Sequence, residues 1–249
     1  MKAIITDLDR TLLRTDKSIS RYTIDVLTKC RECGILVMVA SARPLRDIRG
    51  YGSLIRFDAI TATNGAVIEL PQRRMEYGIR RESGEKILSD LLRFPDVFLS
   101  IETSGGLFSN RDIPVWEPVL YKDFPKLPDN IILYKILASS SQRELYDGVG
   151  RILPEDVYHT ISAGELVQIM NVEAAKWNGV RHMLACFGIP PHEAVYFGDD
   201  NDDIEPIRNC GLGVAVSNAI PAVLQAADRI TDSNDKDGAA RFIETYLLK

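Results

Sequence analysis

The chain has 249 residues, 45% hydrophobic and 26% charged, which is the balance of a globular protein with room for one large domain or two modest ones. Its formal charge of −5, with no dense Lys/Arg run, argues against a nucleic-acid partner and against an anionic membrane surface. A core of this size needs no disulfide or structural-metal staple.

Ala3–Thr6 is a short apolar run that ends in acidic residues and predicts a buried strand. The segment Met1–Thr11 meets acids too early for a signal peptide, and the longest apolar run, Ile35–Ala40, is far too short to span a membrane. A cytoplasmic location is expected. Ser20 caps a predicted helix reaching about Cys33, with Gly34 as its stop. The four cysteines, Cys30, Cys33, Cys186 and Cys210, read as reduced thiols. The Cys30/Cys33 pair has no second pair to complete a zinc site. Ile35–Ala40 and Ala59–Thr63 predict two more buried strands, with Ser41-Ala42-Arg43-Pro44 and a short helix between them. Strands alternating with helices, apolar on both faces, indicate a parallel sheet covered on both sides.

The middle of the chain reads differently. Ala66–Leu70, Val97–Glu102, Ile131–Ala138, Val157–Ser162 and Leu166–Met170 predict strands, several alternating apolar with polar residues, as a half-exposed antiparallel sheet does. Helices are predicted over 83–93 and 142–153. Residues 75–170 are therefore read as an inserted α+β domain, and 1–74 with 171–249 as an α/β, Rossmann-like core. In the tail, Ala194–Phe197, Leu212–Val216 and Arg229–Thr231 predict strands of the first kind, with a helix over 221–227.

Three apolar strands thus end in polar clusters: Asp7 with Asp9, Ser41, and Asp199 with Asp203. Strand carboxyl ends line one edge of an open parallel sheet, so these clusters are expected to converge there. Crowded carboxylates repel and raise one another's pKa, and a hard divalent cation relieves this. A cation beside a free carboxylate, with a hydroxyl and a lysine to hold oxyanions, is apparatus for phosphoryl transfer. Taken singly, each residue has a plainer reading: a turn for Asp7 and Asp9, a cap for Ser41, a solvated lysine for Lys176. His159, His182 and His192 stand isolated, and Trp116 and Tyr121 read as packing.

The order of these residues resembles the haloacid-dehalogenase-like (HAD) hydrolases. Asp7-Leu8-Asp9-Arg10-Thr11 is similar to the first motif, DxDGT; Ser41 with Arg43-Pro44 to the second; Lys176 to the third; Gly198-Asp199 with Asp202-Asp203 to the fourth, GDxxND. Asn64-Gly65, the stretch Val214–Ala219 and the stretch Thr231–Gly238 resemble landmarks of the Cof-type subfamily with a type IIB cap. The resemblance implies a Mg2+-dependent phosphatase that acts on a small phosphorylated metabolite, such as a sugar phosphate, through an aspartyl phosphate. Under it Asp7 is the nucleophile and Asp9 the general acid and base; Asp9 must be protonated at one step, and a site closing over it would raise its pKa by desolvation. Thr11, Ser41, Ala42, Arg43, Asn64 and Lys176 hold substrate and phosphate. Asp7, Asp199 and the carbonyl of Asp9 ligate the metal, Asp202 and Asp203 support it or orient Lys176, and Asn218 lies nearby. The inserted domain is the cap that selects the substrate. Arg10 stands in place of glycine and Asp202 in place of asparagine. Alternatives on the same residues are a phosphosugar-mutase-like phosphotransferase and a ligand-binding member without turnover. A phosphorylated receiver domain fits less well, because it needs neither the insertion nor the Gly198-Asp199 unit. The sequence is silent on oligomeric state.

Overall fold

The computed structural model describes residues 1–113, 116–162 and 165–248, so residues 114–115, 163–164 and 249 of the expected domains lie outside the description. The chain divides into two units, Met1–Met75 with Ala175–Lys249, and Glu76–Ala174. The strands in chain order are β1 (Ala3–Thr6), β2 (Leu36–Ala40), β3 (Ala59–Ala62), β4 (Val67–Glu69), β5 (Arg74–Glu76), β6 (Phe98–Thr103), β7 (Gly106–Ser109), β8 (Val119–Leu120), β9 (Leu133–Ser139), β10 (Val157–Ser162), β11 (Leu166–Asn171), β12 (Ala194–Gly198), β13 (Leu212–Val216) and β14 (Arg229–Thr231). The helices are α1 (Arg21–Glu32), α2 (Leu45–Arg49), α3 (Arg81–Leu91), α4 (Arg143–Gly148), α5 (Lys176–Cys186), α6 (Ile204–Asn209), α7 (Pro221–Ala226) and α8 (Gly238–Tyr246).

The first unit is built on an eight-stranded sheet in the order β14-β13-β12-β1-β2-β3-β4-β5. From β14 to β3 the neighbours are parallel, and β4 runs antiparallel to β3. Every residue of β1 and β12 is buried, so both faces of the sheet centre are covered, as the uniformly apolar runs require. Ser20 caps α1 by accepting the amide of Thr23 at 3.0 Å, and Gly34 follows the helix with φ +78°. Helix α1 packs on α8, and α6 touches both α5 and α7. Three helices escape the sequence reading: α5, α6 and α8. Gly179 weakens the helical signal of α5, yet a Cβ there would lie 2.0 Å from Thr61 Oγ1, so close packing on β3 demands glycine. Helix α6 is six residues long with Pro206 inside it.

The second unit carries a six-stranded sheet in the order β10-β11-β9-β6-β7-β8. It is antiparallel as expected except at its edge, where β8 runs parallel to β7. One sheet face, with Leu99, Ile101, Ile136, Val167 and Ile169, packs against Ile87, Leu88 and Leu91 of α3 and Leu145 of α4. The short strands β5, β7 and β8 have no counterpart in the sequence reading; β8 is only two residues long and exposed, too little for a periodicity signal. Trp116 packs beside Phe98 at 6.4 Å, and Tyr121 stacks edge-on to Phe108 and Phe124.

Among the described residues no helix is long and apolar enough to cross a membrane. All four cysteines are free, and burial pushes the Cys30 thiol up to about 11.

Candidate active site

Within the first unit the chain runs outward from β1 through β2 and β3 on one side, and from β12 through β13 and β14 on the other. The sheet order therefore reverses between β1 and β12, the position where open α/β sheets form a crevice at their strand ends. Thr6 pairs with Phe197, and the amide of Asp7 donates to the carbonyl of Phe197 at 2.9 Å. Asp7 and Asp199 leave these strands side by side.

Asp7 is buried, and its Oδ1 accepts from Lys176 Nζ at 3.0 Å. Its Oδ2 accepts no hydrogen bond among the described residues. Lys176 opens α5, is itself buried, and also donates to Asp203 Oδ1 at 2.7 Å, with Asp202 Oδ1 3.4 Å away. Asp203 is wholly buried and its carboxylate is saturated. Oδ1 accepts from Lys176 and from the Tyr196 hydroxyl at 2.6 Å, and Oδ2 accepts from the amides of Asp199 and Asp200 at 2.9 and 3.0 Å. Gly198 makes room for this: a Cβ there would lie 2.5 Å from Asp203 Cβ.

The electrostatics follow from burial and crowding. Burial, with the nearby carboxylates of Asp203, Asp199 and Asp202, holds the Asp7 carboxyl well above its ordinary value even though Lys176 opposes this. Burial raises Asp203 as well. Burial lifts Asp199 to about 6, against the hydrogen bond from Thr11 Oγ1 to its Oδ1 at 2.7 Å. Burial works against the charge on Lys176, but the surrounding carboxylates outweigh it and push its pKa well up. One buried ammonium thus faces four carboxylates, and the pocket is short of positive charge.

The other side of the crevice is more open. Asp9, about one third exposed, is clamped by Arg43, whose Nε and Nη2 donate to Oδ2 and Oδ1 at 2.6 and 2.8 Å, and by Lys17 Nζ at 2.7 Å. The Asp9 carboxyl is not raised in this arrangement. Burial pulls it upward, but the hydrogen bonds and charges of Arg43 and Lys17 prevail and hold it below the usual carboxylate range. Ser41, buried at the end of β2, accepts the Arg43 amide at 3.2 Å, and Ala42 between them is exposed. Asn64 follows β3 in a left-handed conformation, φ +57°, and its Nδ2 donates to Asp202 Oδ2 at 2.6 Å. Asp202 thus bridges Asn64 and the neighbourhood of Lys176.

Arg10 also has a left-handed backbone, φ +59° and ψ 6°, which explains glycine in the resembled motif. An L-residue there costs about 1 kcal/mol. Its carbonyl accepts from Asn218 Nδ2 at 2.8 Å, while its own Nη2 donates to the Asn218 carbonyl at 3.1 Å and its Nε lies 3.8 Å from Asp199 Oδ2. Asn218 Oδ1 in turn accepts the Asn234 amide at 2.9 Å, and Asn234 Nδ2 reaches the Leu13 carbonyl at 3.0 Å. The 231–238 stretch therefore braces the loop that carries Asp9 and Arg10.

One carboxylate oxygen each from Asp7, Asp199 and Asp203 lie within 4.8 Å of one another, a cluster that can hold a metal ion. All acceptor positions of Asp203 are filled, which leaves Asp7 and Asp199 as the carboxylates of this cluster with acceptor capacity to offer a cation. The excess of carboxylates over cations around Asp7 and Asp199 fits a hard divalent cation.

The sequence reading missed Tyr196 and Lys17. A phenol inside a buried apolar strand needs a hydrogen-bond partner, and that requirement was the available signal for Tyr196. Lys17, in a turn eight residues after Asp9, gave none.

The family model for haloacid dehalogenase-like hydrolases matches residues 4–243. The 5-amino-6-(5-phospho-D-ribitylamino)uracil phosphatase YitU of Bacillus subtilis (strain 168) is 26% identical, over 98% of this chain and 97% of that one. A phosphoglycolate phosphatase of Methanococcoides burtonii is 25% identical, over 99% and 97%. In fold, a haloacid dehalogenase-like hydrolase from B. subtilis superposes with a TM-score of 0.88 at 24% identity, covering 99% of this chain and 100% of that one. A HAD subclass IIB sugar phosphatase superposes with a TM-score of 0.84 at 19% identity, with both chains fully covered. With its motifs gathered at one sheet edge and the family model spanning nearly its whole length, the chain belongs to the haloacid dehalogenase-like hydrolases.

Proposed function

We propose that the protein is a Mg2+-dependent phosphatase for a small phosphorylated metabolite, with Asp7 as nucleophile. The observation that carries this reading is Asp7 itself: one carboxylate oxygen fixed by Lys176, the other without a hydrogen bond among the described residues, at the switch point of the sheet. Asp7 Oδ2 attacks phosphorus as the bond to the leaving oxygen breaks, and that oxygen takes the proton of Asp9. Asp9 then takes a proton from water, the hydroxide attacks phosphorus, and the Asp7–phosphorus bond breaks to release phosphate. Lys176, the Ser41 hydroxyl, Arg43 and the exposed amide region at Ala42 hold the phosphoryl oxygens, with Asn64 positioned through Asp202. Thr11 acts on Asp199 rather than on phosphate, in keeping with its hydrogen bond. Asp7, Asp199 and the Asp9 carbonyl would hold Mg2+, which would supply charge neutralisation for the transferring group.

The clamp on Asp9 fits this cycle when phosphate draws Arg43 to itself. A guanidinium forks onto phosphate as readily as onto carboxylate, and Asp9, relieved of one cation, gains its proton more easily. The second unit is proposed as the cap that selects the substrate. In support, the face of its sheet opposite the apolar core carries Glu102 and Lys135, both buried, with Lys135 donating to Gln168 at 3.1 Å.

The test is phosphate release from a panel of sugar phosphates, phosphoglycolate and nucleotide monophosphates, with Mg2+ and with chelator, beside Asp7→Asn. Metal-dependent release that the variant lacks is expected. Transfer of phosphate between sugar positions without release would favour a mutase instead.

A further inference from the structure

We infer that Arg10 is a built-in competitor for the cation at Asp199, an inference that rests on the metal reading above. The guanidinium is permanently charged, and it lies with Nε 3.8 Å from Asp199 Oδ2, an oxygen the cation needs. It is held there from both ends. Asn218 donates to the Arg10 carbonyl and accepts from Arg10 Nη2, so the backbone and the side chain are fastened to one residue. The backbone is left-handed, a conformation that glycine adopts without strain, so Arg10 is kept at a strained position where its side chain reaches the metal-binding carboxylate. Lys176 also bears on Asp199 through its charge, but it makes no direct ion pair with it among the described residues. Its contacts are with Asp7, Asp203 and Asp202 on the far side of the cluster, and Asp199 Oδ1 is already taken by Thr11. Among the described residues Arg10 is the cation in ion-pair distance of Asp199 Oδ2.

The Arg10 side chain is 56% exposed, so it is free to swing outward when the divalent ion arrives. Two cations cannot share that oxygen without repulsion, and the bound ion must offset the loss of the Arg10 contact. The consequence is a site of weakened Mg2+ affinity that fills only when Mg2+ is abundant, and a guanidinium released toward the pocket mouth as it fills. An ion pair of this length in largely solvated surroundings corresponds to roughly fivefold in affinity, shrinking as salt screens it.

The experiment is Mg2+ binding by calorimetry, with Mg2+-induced thermal stabilisation as second readout, on the full chain without substrate. The parent is compared with Arg10→Gln, Arg10→Lys, Arg10→Gly and, as control, Asp199→Asn. Arg10→Gln keeps bulk and backbone strain while removing charge. It is expected to bind Mg2+ roughly fivefold tighter than the parent at low salt, with the difference narrowing at high salt. Arg10→Lys should stay close to the parent, and Arg10→Gly should bind at least as tightly as Arg10→Gln. Equal or weaker Mg2+ binding by Arg10→Gln, with Asp199→Asn abolishing binding, would overturn the competition while leaving the metal site intact. No binding by the parent or by any Arg10 variant would overturn both.

Discussion

The two halves of the crevice differ in how their carboxylates are held. Around Asp7 every partner is buried: Lys176, Asp203 and Tyr196 lock one another, and Asp203 has all its acceptor positions filled. Around Asp9 the partners are half exposed, Arg43 at 22% and Lys17 at 52%, and form ion pairs that a substrate anion can displace. The contrast teaches that this fold fixes Asp7 and leaves the partners of Asp9 exchangeable. A buried pair loses several kcal/mol when one partner is removed, and an exposed pair loses little.

Variants on the two halves sharpen that contrast. The largest effect is expected from Asp7→Asn, which keeps shape and removes a carboxylate that burial already disfavours: activity falls about a thousandfold or more while the fold persists. Steady-state phosphate release with a thermal melt checks both parts. Next, Asp203→Asn turns an amide donor toward groups that are all donors and should cost about 3 kcal/mol, read by denaturant unfolding. A loss under about 1 kcal/mol would break the claim that the Asp7 half is the rigid one.

Asp199 contributes to the pH dependence in the same direction as the raised carboxyls of Asp7 and Asp203. Its carboxyl, raised by burial to about 6, binds a proton more readily folded than unfolded. Its charge therefore costs stability above that pH, and the cost disappears as pH falls toward the unfolded value. A cation must displace the same proton, so Mg2+ affinity is expected to fall about tenfold between pH 7 and pH 5, measured by calorimetry. PH-independent binding would place the cation elsewhere. Smaller again, Tyr196→Phe removes one buried hydrogen bond to Asp203 and should lower stability by about 1 kcal/mol. Lys17→Ala on the open half should change stability by less than about 0.5 kcal/mol.

The centre of the first unit's sheet was legible because β1, β2 and β12 are buried on both faces and so read as apolar runs, each ending in a polar cluster. The helices α5 and α6 were not, because Gly179 and Pro206 serve packing and length constraints that outweigh local propensity. Ion-pair partners across the site were the hardest to read. That Asp9 would be clamped by residues eight and thirty-four positions away depends on loop paths, and no local pattern encodes them. Asp203 illustrates the middle case: its presence near Lys176 was expected, but its saturation by Tyr196 and two amides needed coordinates.

The central claim is that Asp7 carries the phosphoryl group. The direct measurement is rapid acid quench during turnover of a labelled substrate from the panel, followed by peptide mapping of the bound phosphate. A hydroxylamine-labile phosphate on the peptide containing Asp7, absent in Asp7→Asn, is the predicted result. Phosphate release at full rate with the label on another residue, or with activity retained in Asp7→Asn, would contradict it.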